Sequence, residues 1–419
     1  MDIRYEAYLI LKDVHINHDY ANLSMRNRLS KYGVRDRSLI SQLVYGSIQH
    51  YRYLRFLWSS FVEGELEEEI AVLLDMTTYQ LLFLDKLPDY AVINDAVEIS
   101  KKIIYGKYQK LVNAVSRKIK NITLDFEVNN ETELALKTSH PDWLVKLWLA
   151  HYGYEFTKSL CFFNNTVRKV AVRVNTLKIS REELLKDSDF EIGLLGKQAL
   201  YFNGNILESE YYQNQTIIIQ DEASQYIGEI VDPQKGDRIL DACSAPGTKA
   251  IEISMMLEGS GEIIALEPHE HRISLIQNNI ELYGIKNIEV LQLDARLASK
   301  HIEGLFDKIL VDAPCSGFGT LRHKPDIKIR ICPEDIDSLV KLQSEILTET
   351  AKLVKIGGYL IYATCTINKK ENEKQVEKFL KEHSEFQLVE EKQINPMEYQ
   401  TDGFYYAKMR RKMNDEISI

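Results

Sequence analysis

From Lys235 onward, short apolar runs alternate with helix-length segments, and glycine-bearing turns punctuate the exchange. RILDA, EIIALEP, IEVLQLD, FDKILVDAP, YLIYATC, FQLVEEK and GFYYAKMRR have the length and the aliphatic or aromatic content of strands. Strands joined through helices must return in the same direction, so this region is expected to form a largely parallel, doubly wound α/β sheet of Rossmann-like type.

Upstream the period changes. SLISQLVYGSIQHYRYLRFLW and AVLLDMTTYQLLFLDKL repeat apolar residues at helical spacing, and Pro88 breaks the second run. VINDAVEISKKI and KLVNAVSRKIK come next, parted by a short stretch holding Gly106, so residues 1 to about 128 read as an all-helical bundle. The polar stretch TLDFEVNNETELALKTSHPD, centred on Asn129 and Asn130, reads as a linker. Beyond it WLVKLWLAHYG is helical, whereas KVAVRVNTLK, ALYFNG and QTIIIQDEAS have strand character. The expected division is a helical domain at 1–130, a small mixed α/β domain at 131–230 and the doubly wound domain at 231–419.

Composition narrows the class. A hydrophobic fraction of 45 % and a charged fraction of 27 % are those of a globular chain. The first twenty residues carry acidic groups and no unbroken apolar run, so a signal peptide is not expected, and no window is apolar enough to span a bilayer. Five cysteines, Cys161, Cys243, Cys315, Cys332 and Cys365, show no CxxC or Cys/His ligand spacing, so neither a disulfide framework nor a metal site is expected, and the protein is read as cytoplasmic. The net charge of −10 argues against wholesale coating by nucleic acid. Residues 1 to 60 nevertheless carry nine Lys/Arg against five Asp/Glu, a local excess of basic charge suited to phosphate.

The segment KGDRILDACSAPGTKAIEISMML sets a strand, a tight turn and a helix in succession. Such a turn lets a ligand approach the backbone, and the helix N-terminus offers free amides. Cys243, Ser244, Ala245, Pro246, Gly247, Thr248 and Lys249 make that turn and enter the helix. Glu267, Asp294 and Asp312 end the next three strands, so four strands bring polar groups to one sheet edge. A dinucleotide-binding oxidoreductase would carry GxGxxG, which SAPGT does not match.

Cys315 in VDAPCSGFGTLRHKPDIK and Cys365 in YLIYATCTINKKENEKQV each come immediately after a predicted strand, at this same edge. A thiol there is accessible, whereas a cysteine inside a strand would be a small buried hydrophobe. Helix N-terminal amides and a cationic ligand are expected to lower its pKa and favour the thiolate.

Together DACSAPGTK, LDAR, VDAPCSGFGTLRHKPDIK and YATCTINKKENEKQV closely resemble the RNA cytosine-5 methyltransferases, the NOL1/NOP2/Sun family. SHPDWLVKLW, VRVNTLK and QDEASQ resemble that family's accessory segment, and RSLISQLVYGSIQHYRYL with KLVNAVSRKIK is similar to the NusB-like RNA-binding domain of the bacterial branch acting on 16S ribosomal RNA. The resemblance covers nearly the whole chain. It implies Cys365 as nucleophile, Cys315 as the thiol that aids product release, and contacts to S-adenosyl-L-methionine from residues 243–249, Glu267, Asp294 and Asp312. Asp312 and Pro314 would also lie near the base, with Asp312 offering a proton if held protonated. The implied partner is unassembled or partly assembled 16S rRNA, bound by a monomer.

Cytosine carbon 5 is a poor nucleophile until a thiolate adds at carbon 6, after which the ring can attack a methylsulfonium. The base must leave its stack to reach such a pocket. Two departures from the family pattern bear on this. Thr248 replaces the second glycine of APGGK, which is expected to loosen the cofactor turn, and no tryptophan comes after PDIK. The competing expectations are a tRNA or other rRNA cytosine-5 methyltransferase, and a non-catalytic RNA-binding or assembly protein. The second has no need of Cys315, Cys365 and Asp312 together.

Overall fold

The computed structural model describes residues 2–122 and 126–413, which fall into two compact units. One comprises residues up to Val167 together with Leu321–Ile331; the other comprises Arg168–Thr320 and the chain from Cys332 onward.

The first unit is helical: α1 (Asp2–Ile16), α2 (Ala21–Leu29), α3 (Val34–Ser59), α4 (Glu68–Phe83), α5 (Asp89–Lys102), α6 (Gln109–Ile119), α7 (Glu131–Lys137), α8 (Asp142–Tyr152) and α9 (Tyr154–Phe163). In α3 the buried Ile40, Leu43, Val44, Ser47 and Ile48 recur at three- and four-residue steps, the spacing of one helix face. From Ile70 to Gln80 every residue of α4 is buried, so α4 is the central helix and the others lay their apolar stripes around it. Pro88 is the N-cap of α5, where its missing N–H costs nothing.

The stretch expected to be a linker is in part a helix. Residues 123–125 of it lie outside the described residues, but α7 starts directly after Asn130, whose side chain accepts from Glu133 N at 2.9 Å. Glu133 in turn accepts from Asn129 N at 2.8 Å. This reciprocal capping starts a helix where polar composition alone suggests coil. Residues Leu321–Ile331, within the span expected for the doubly wound domain, belong to the helical unit. Lys328 is buried there and donates to Asn165 Oδ1 at 3.0 Å and to the Gln49 and Thr138 carbonyls at 3.3 Å. Ile329, at the position where the family tryptophan is absent, packs on the helical core.

The second unit holds two sheets. Strands β1 (Val170–Val174), β2 (Phe190–Ile192), β3 (Ala199–Phe202) and β4 (Ile217–Ile219) form an antiparallel sheet of order β2-β3-β1-β4. The seven predicted downstream strands are all present: β5 (Arg238–Asp241), β6 (Glu262–Leu266), β7 (Ile288–Leu291), β8 (Phe306–Asp312), β9 (Val354–Thr364), β10 (Phe386–Ile394) and β11 (Phe404–Arg411). Their order is β10-β11-β9-β8-β5-β6-β7. The five from β9 to β7 run parallel, and β10 and β11 pair antiparallel at one margin.

Alternation along the strands feeds two cores. Leu240, Ile309, Val311, Leu360 and Tyr362 face the helices Pro333–Ala351 and Glu373–Glu382. Ile239, Leu310, Ile361 and Ala363 face the helices Glu222–Val231 and Thr248–Met256. Covering both faces leaves the strand ends as the open edge, and the winding reverses between β5 and β8, where such sheets place ligands.

Candidate active site

Five strands, β5 to β9, end at this edge, and the loops leaving them build the site. After β5, Ser244 N donates to Leu266 O at 3.0 Å and Gly247 N to Ser244 O at 2.6 Å, closing a tight turn. Gly247 has φ +96°, a left-handed conformation that disfavours any side chain, and a Cβ there would lie 3.0 Å from Ile276 Cγ2. Arg272 donates to Ala245 O at 3.3 Å and Asn279 to Pro246 O at 3.0 Å, fixing the outer wall of the turn. Thr248 is the first residue of the helix Thr248–Met256 and is absent from the positive-φ residues. A helical position tolerates a Cβ, so the expected loosening of the turn does not occur: Gly247 alone makes the left-handed step.

Glu267, after β6, is 2 % exposed and accepts from His269 N at 3.0 Å and from Arg272 at 3.1 Å. Asp294, after β7, accepts three N–H groups of Arg296, which hold its carboxyl below the usual range. Asp312 ends β8 and forms a 2.6 Å ion pair with Lys249. Lys249 is buried, which favours its neutral form, but Asp312 outweighs that and Asp241 and Cys365 add to it, so its pKa lies above the ordinary lysine value. Asp312 and Lys249 thus enter the site as an ion pair.

The loops after β8 and β9 bring Cys315 Sγ and Cys365 Sγ to 3.4 Å. Both thiols are half-buried, and Cys365 is the most accessible residue between Ile361 and Asn368. Gly319 N donates to Cys365 O at 3.0 Å, and Gly403 N to Gly319 O at 2.9 Å. A Cβ on Gly319 would come 1.8 Å from Gly403 O, so this close backbone approach behind Cys365 requires glycine. The hydrogen bond to Cys365, burial and the nearby Glu371 carboxylate push the Cys315 thiol well above its ordinary pKa. Cys243 is pushed up likewise, by burial and by Asp241, Asp312 and Glu267.

Three groups went unnoticed in the sequence. Asp241, the last residue of β5, is buried, with its pKa raised to about 6 by burial. Its place in LDACSAPGT was the available signal. Arg272 ties Glu267 to the turn. Glu371, in the KKENE run, accepts from Ser316 and Asn368 deep under both cysteine loops. Among the described residues no cluster of three metal-ligating side chains occurs.

The chain matches the family described as 16S rRNA methyltransferase RsmB/F over residues 229–410, the NusB family over 1–121, and the RsmF/B-like ferredoxin-like domain over 140–188. The probable ribosomal RNA small subunit methyltransferase B of Bacillus subtilis (strain 168) is 35 % identical, covering 98 % of each chain. The chain belongs to the ribosomal RNA small subunit methyltransferase B family. A second member of this RsmB family, from Shigella flexneri, is 31 % identical over 91 % of this chain and 92 % of its own. The fold is shared with the crystal structure of PH0851, at TM-score 0.81 and 24 % identity over 97 % of this chain and 98 % of that one. NSun6 from Pyrococcus horikoshii, solved with SFG, aligns at TM-score 0.59 and 22 % identity over 65 % of this chain and 98 % of that chain.

Proposed function

We propose that this protein methylates carbon 5 of a cytosine in 16S ribosomal RNA, with Cys365 as the covalent nucleophile and S-adenosylmethionine as the methyl donor. The RsmB relatives, named for small-subunit ribosomal RNA, support the substrate class. The 3.4 Å pair of half-buried thiols beside the Lys249–Asp312 ion pair carries the mechanistic reading.

The residues at the edge fit a cationic, ribose-bearing donor. Asp241 is a buried carboxylate that, among the described residues, has no cation in ion-pair contact, and Glu267 is a nearly enclosed acceptor at the end of the neighbouring strand. Cys243 to Lys249, Glu267, Asp294 and Asp312 would hold it. S-adenosylmethionine supplies an electrophilic methyl group at that edge.

The remaining chemistry belongs to the chain. Cys365 Sγ adds to carbon 6 of the flipped cytosine, and the electron pair moves to carbon 5, which then accepts the methyl group. Asp312, held by Lys249, faces the polar edge of the ring, and Lys249 supplies a charged N–H there. When the carbon-5 proton passes to solvent water, its electron pair re-forms the C5–C6 double bond and Cys365 leaves as a thiolate. Cys315, kept as a thiol 3.4 Å away, can give its proton to the departing sulfur. The NusB-like module at 1–130, the accessory module at 131–230 and the catalytic module at 231–419 divide RNA capture from chemistry, in a cytoplasmic monomer acting on unassembled or partly assembled rRNA.

Cys365→Ala should abolish methyl transfer to 16S rRNA transcripts. Cys315→Ala should accumulate a protein–RNA adduct that survives denaturing electrophoresis. Bisulfite mapping of the product reads the methylated atom. Normal turnover by both variants overturns the reading.

A further inference from the structure

Beneath the thiol pair lies a buried polar cluster that the proposed reaction does not use. Glu371 is 0 % exposed and its carboxylate accepts four hydrogen bonds: from Ser316 N at 2.8 Å, Ser316 Oγ at 2.6 Å, Asn368 Nδ2 at 2.8 Å and Gln343 Nε2 at 3.1 Å. Ser316 comes directly after Cys315, and its hydroxyl also meets Thr366 Oγ1 at 2.7 Å, the residue after Cys365. Gln343 reaches the other side of the same loop through Pro314 O at 2.9 Å. Tyr362, on β9, donates to the Glu371 carbonyl at 2.7 Å. One carboxylate thus gathers the loops on which both sulfurs ride, and among the described residues no cation is in ion-pair contact with it.

A buried carboxylate satisfied only by neutral donors keeps its charge close at hand, and that charge falls unequally on two thiols. Glu371 acts on Cys315, raising the cost of a thiolate there. The Lys249 cation interacts instead with Cys365. The groups that interact with the pair are Glu371 from the loop after β9, Tyr362 from β9 and Lys249 from the helix Thr248–Met256, the last ion-paired with Asp312 from β8.

We propose that Glu371 is a positioning residue for the thiol pair: it fastens the Cys315 loop to the segment after Cys365 and keeps the pair's negative charge on Cys365. This rests on the reading of Cys365 as nucleophile and Cys315 as proton donor. It explains how two sulfurs in contact take opposite roles, since without an asymmetric charge either could ionise and the release step would lose its proton.

The test is residue-resolved alkylation of the full-length protein with iodoacetamide across pH, quantified by peptide mass spectrometry without RNA or donor. In the parent protein Cys365 should react first. In Glu371→Gln the Cys315 profile should move to lower pH, with faster alkylation at a given pH below the midpoint, while Cys365 moves less. Glutamine turns an N–H toward existing donors and can disturb folding, so Glu371→Asp is measured beside it. That variant keeps the charge and shortens the reach; it should leave the Cys315 profile near the parent and lower kcat with KM unchanged. An unmoved Cys315 profile in a folded Glu371→Gln, equal movement of both thiols, or an Asp variant whose Cys315 becomes reactive overturns the proposal. If Cys365→Ala keeps its turnover, the functional reading fails instead, and the alkylation profiles still decide what Glu371 does.

Discussion

Replacing Arg173 by methionine tests how the small antiparallel sheet supports the cofactor turn. Arg173 on β1 pairs with Glu252 at 2.9 Å and donates to Thr248 O at 3.1 Å, so it braces the helix that starts at the turn. The two side chains are 3 % and 5 % exposed, and Glu252 has one other side-chain donor, Gln220 Nε2 at 3.1 Å. Burial drives the Glu252 carboxyl toward the protonated form and Arg173 opposes this. Without Arg173, a buried carboxylate either stays unpaired or takes up a proton. Removing one partner of such a pair costs about 3–5 kcal/mol. The parent already holds this carboxyl raised to about 7, so proton uptake by the variant limits the charge cost at pH 7.5 to about 1 kcal/mol beyond the parent, and the larger figure is the upper limit for a carboxylate that stays ionised.

The parent loses this proton near its raised value of about 7 and the variant keeps it to higher pH, so the variant's deficit grows as pH rises above about 7 and shrinks on acidification. Between pH 7.5 and 5.5 the deficit should fall by about 1 kcal/mol. Urea unfolding monitored by hydrogen exchange of the Thr248–Met256 amides reads this unit directly. Arg173→Met/Glu252→Gln should recover most of the loss and show little pH dependence, because glutamine keeps the contact to Gln220 without the charge. A double variant as unstable as Arg173→Met would refute the argument that an uncompensated charge is responsible.

Burial holds His15 and His50 neutral in the helical unit, aided by Arg55 and Lys328 respectively, with pKa values near about 3 and about 4. Their folded values lie below the unfolded value of 6.5, so the stability they contribute is complete above pH 6.5 and is lost as pH falls toward 4, up to about 3 kcal/mol for His50. Trp58, Trp143 and Trp148 are the chain's three tryptophans and all lie in this unit, so the urea midpoint by tryptophan fluorescence should drop over that range; a flat midpoint contradicts the assignment. Gly319→Ala forces the Cys365 loop and Gly403 apart, and a displacement of about 1 Å at the nucleophile should lower kcat by about 100-fold. Unchanged kcat would show that the loop absorbs the methyl group elsewhere.

Features written in local periodicity were legible from sequence. The seven downstream strands, the Pro88 break and the helical first domain each arise from spacing that a few neighbouring residues carry. Helix α7 did not show, because a two-residue cap outweighed polar composition, and β2 did not, because its three residues Phe-Glu-Ile lack the unbroken apolar run that marks the equally short β4. The candidate site divides in the same way. Cys315, Cys365, Asp312 and the turn after β5 are strand-end residues, and the edge of a doubly wound sheet collects strand ends wherever they fall in the chain.

The features that sequence missed depend on contacts between distant residues. Ser316 and Glu371 are 55 positions apart, and Leu321–Ile331 leaves one unit for the other within a run of ordinary motif residues. The thiol at Cys315 is the most instructive case. Local rules emphasise helix N-termini and predict activation, whereas the folded chain sets an uncompensated carboxylate beneath it and a second sulfur against it. A motif can therefore identify which atoms meet, but the division of labour between two like atoms is set by the field around them, and that field comes from residues that the motif does not contain.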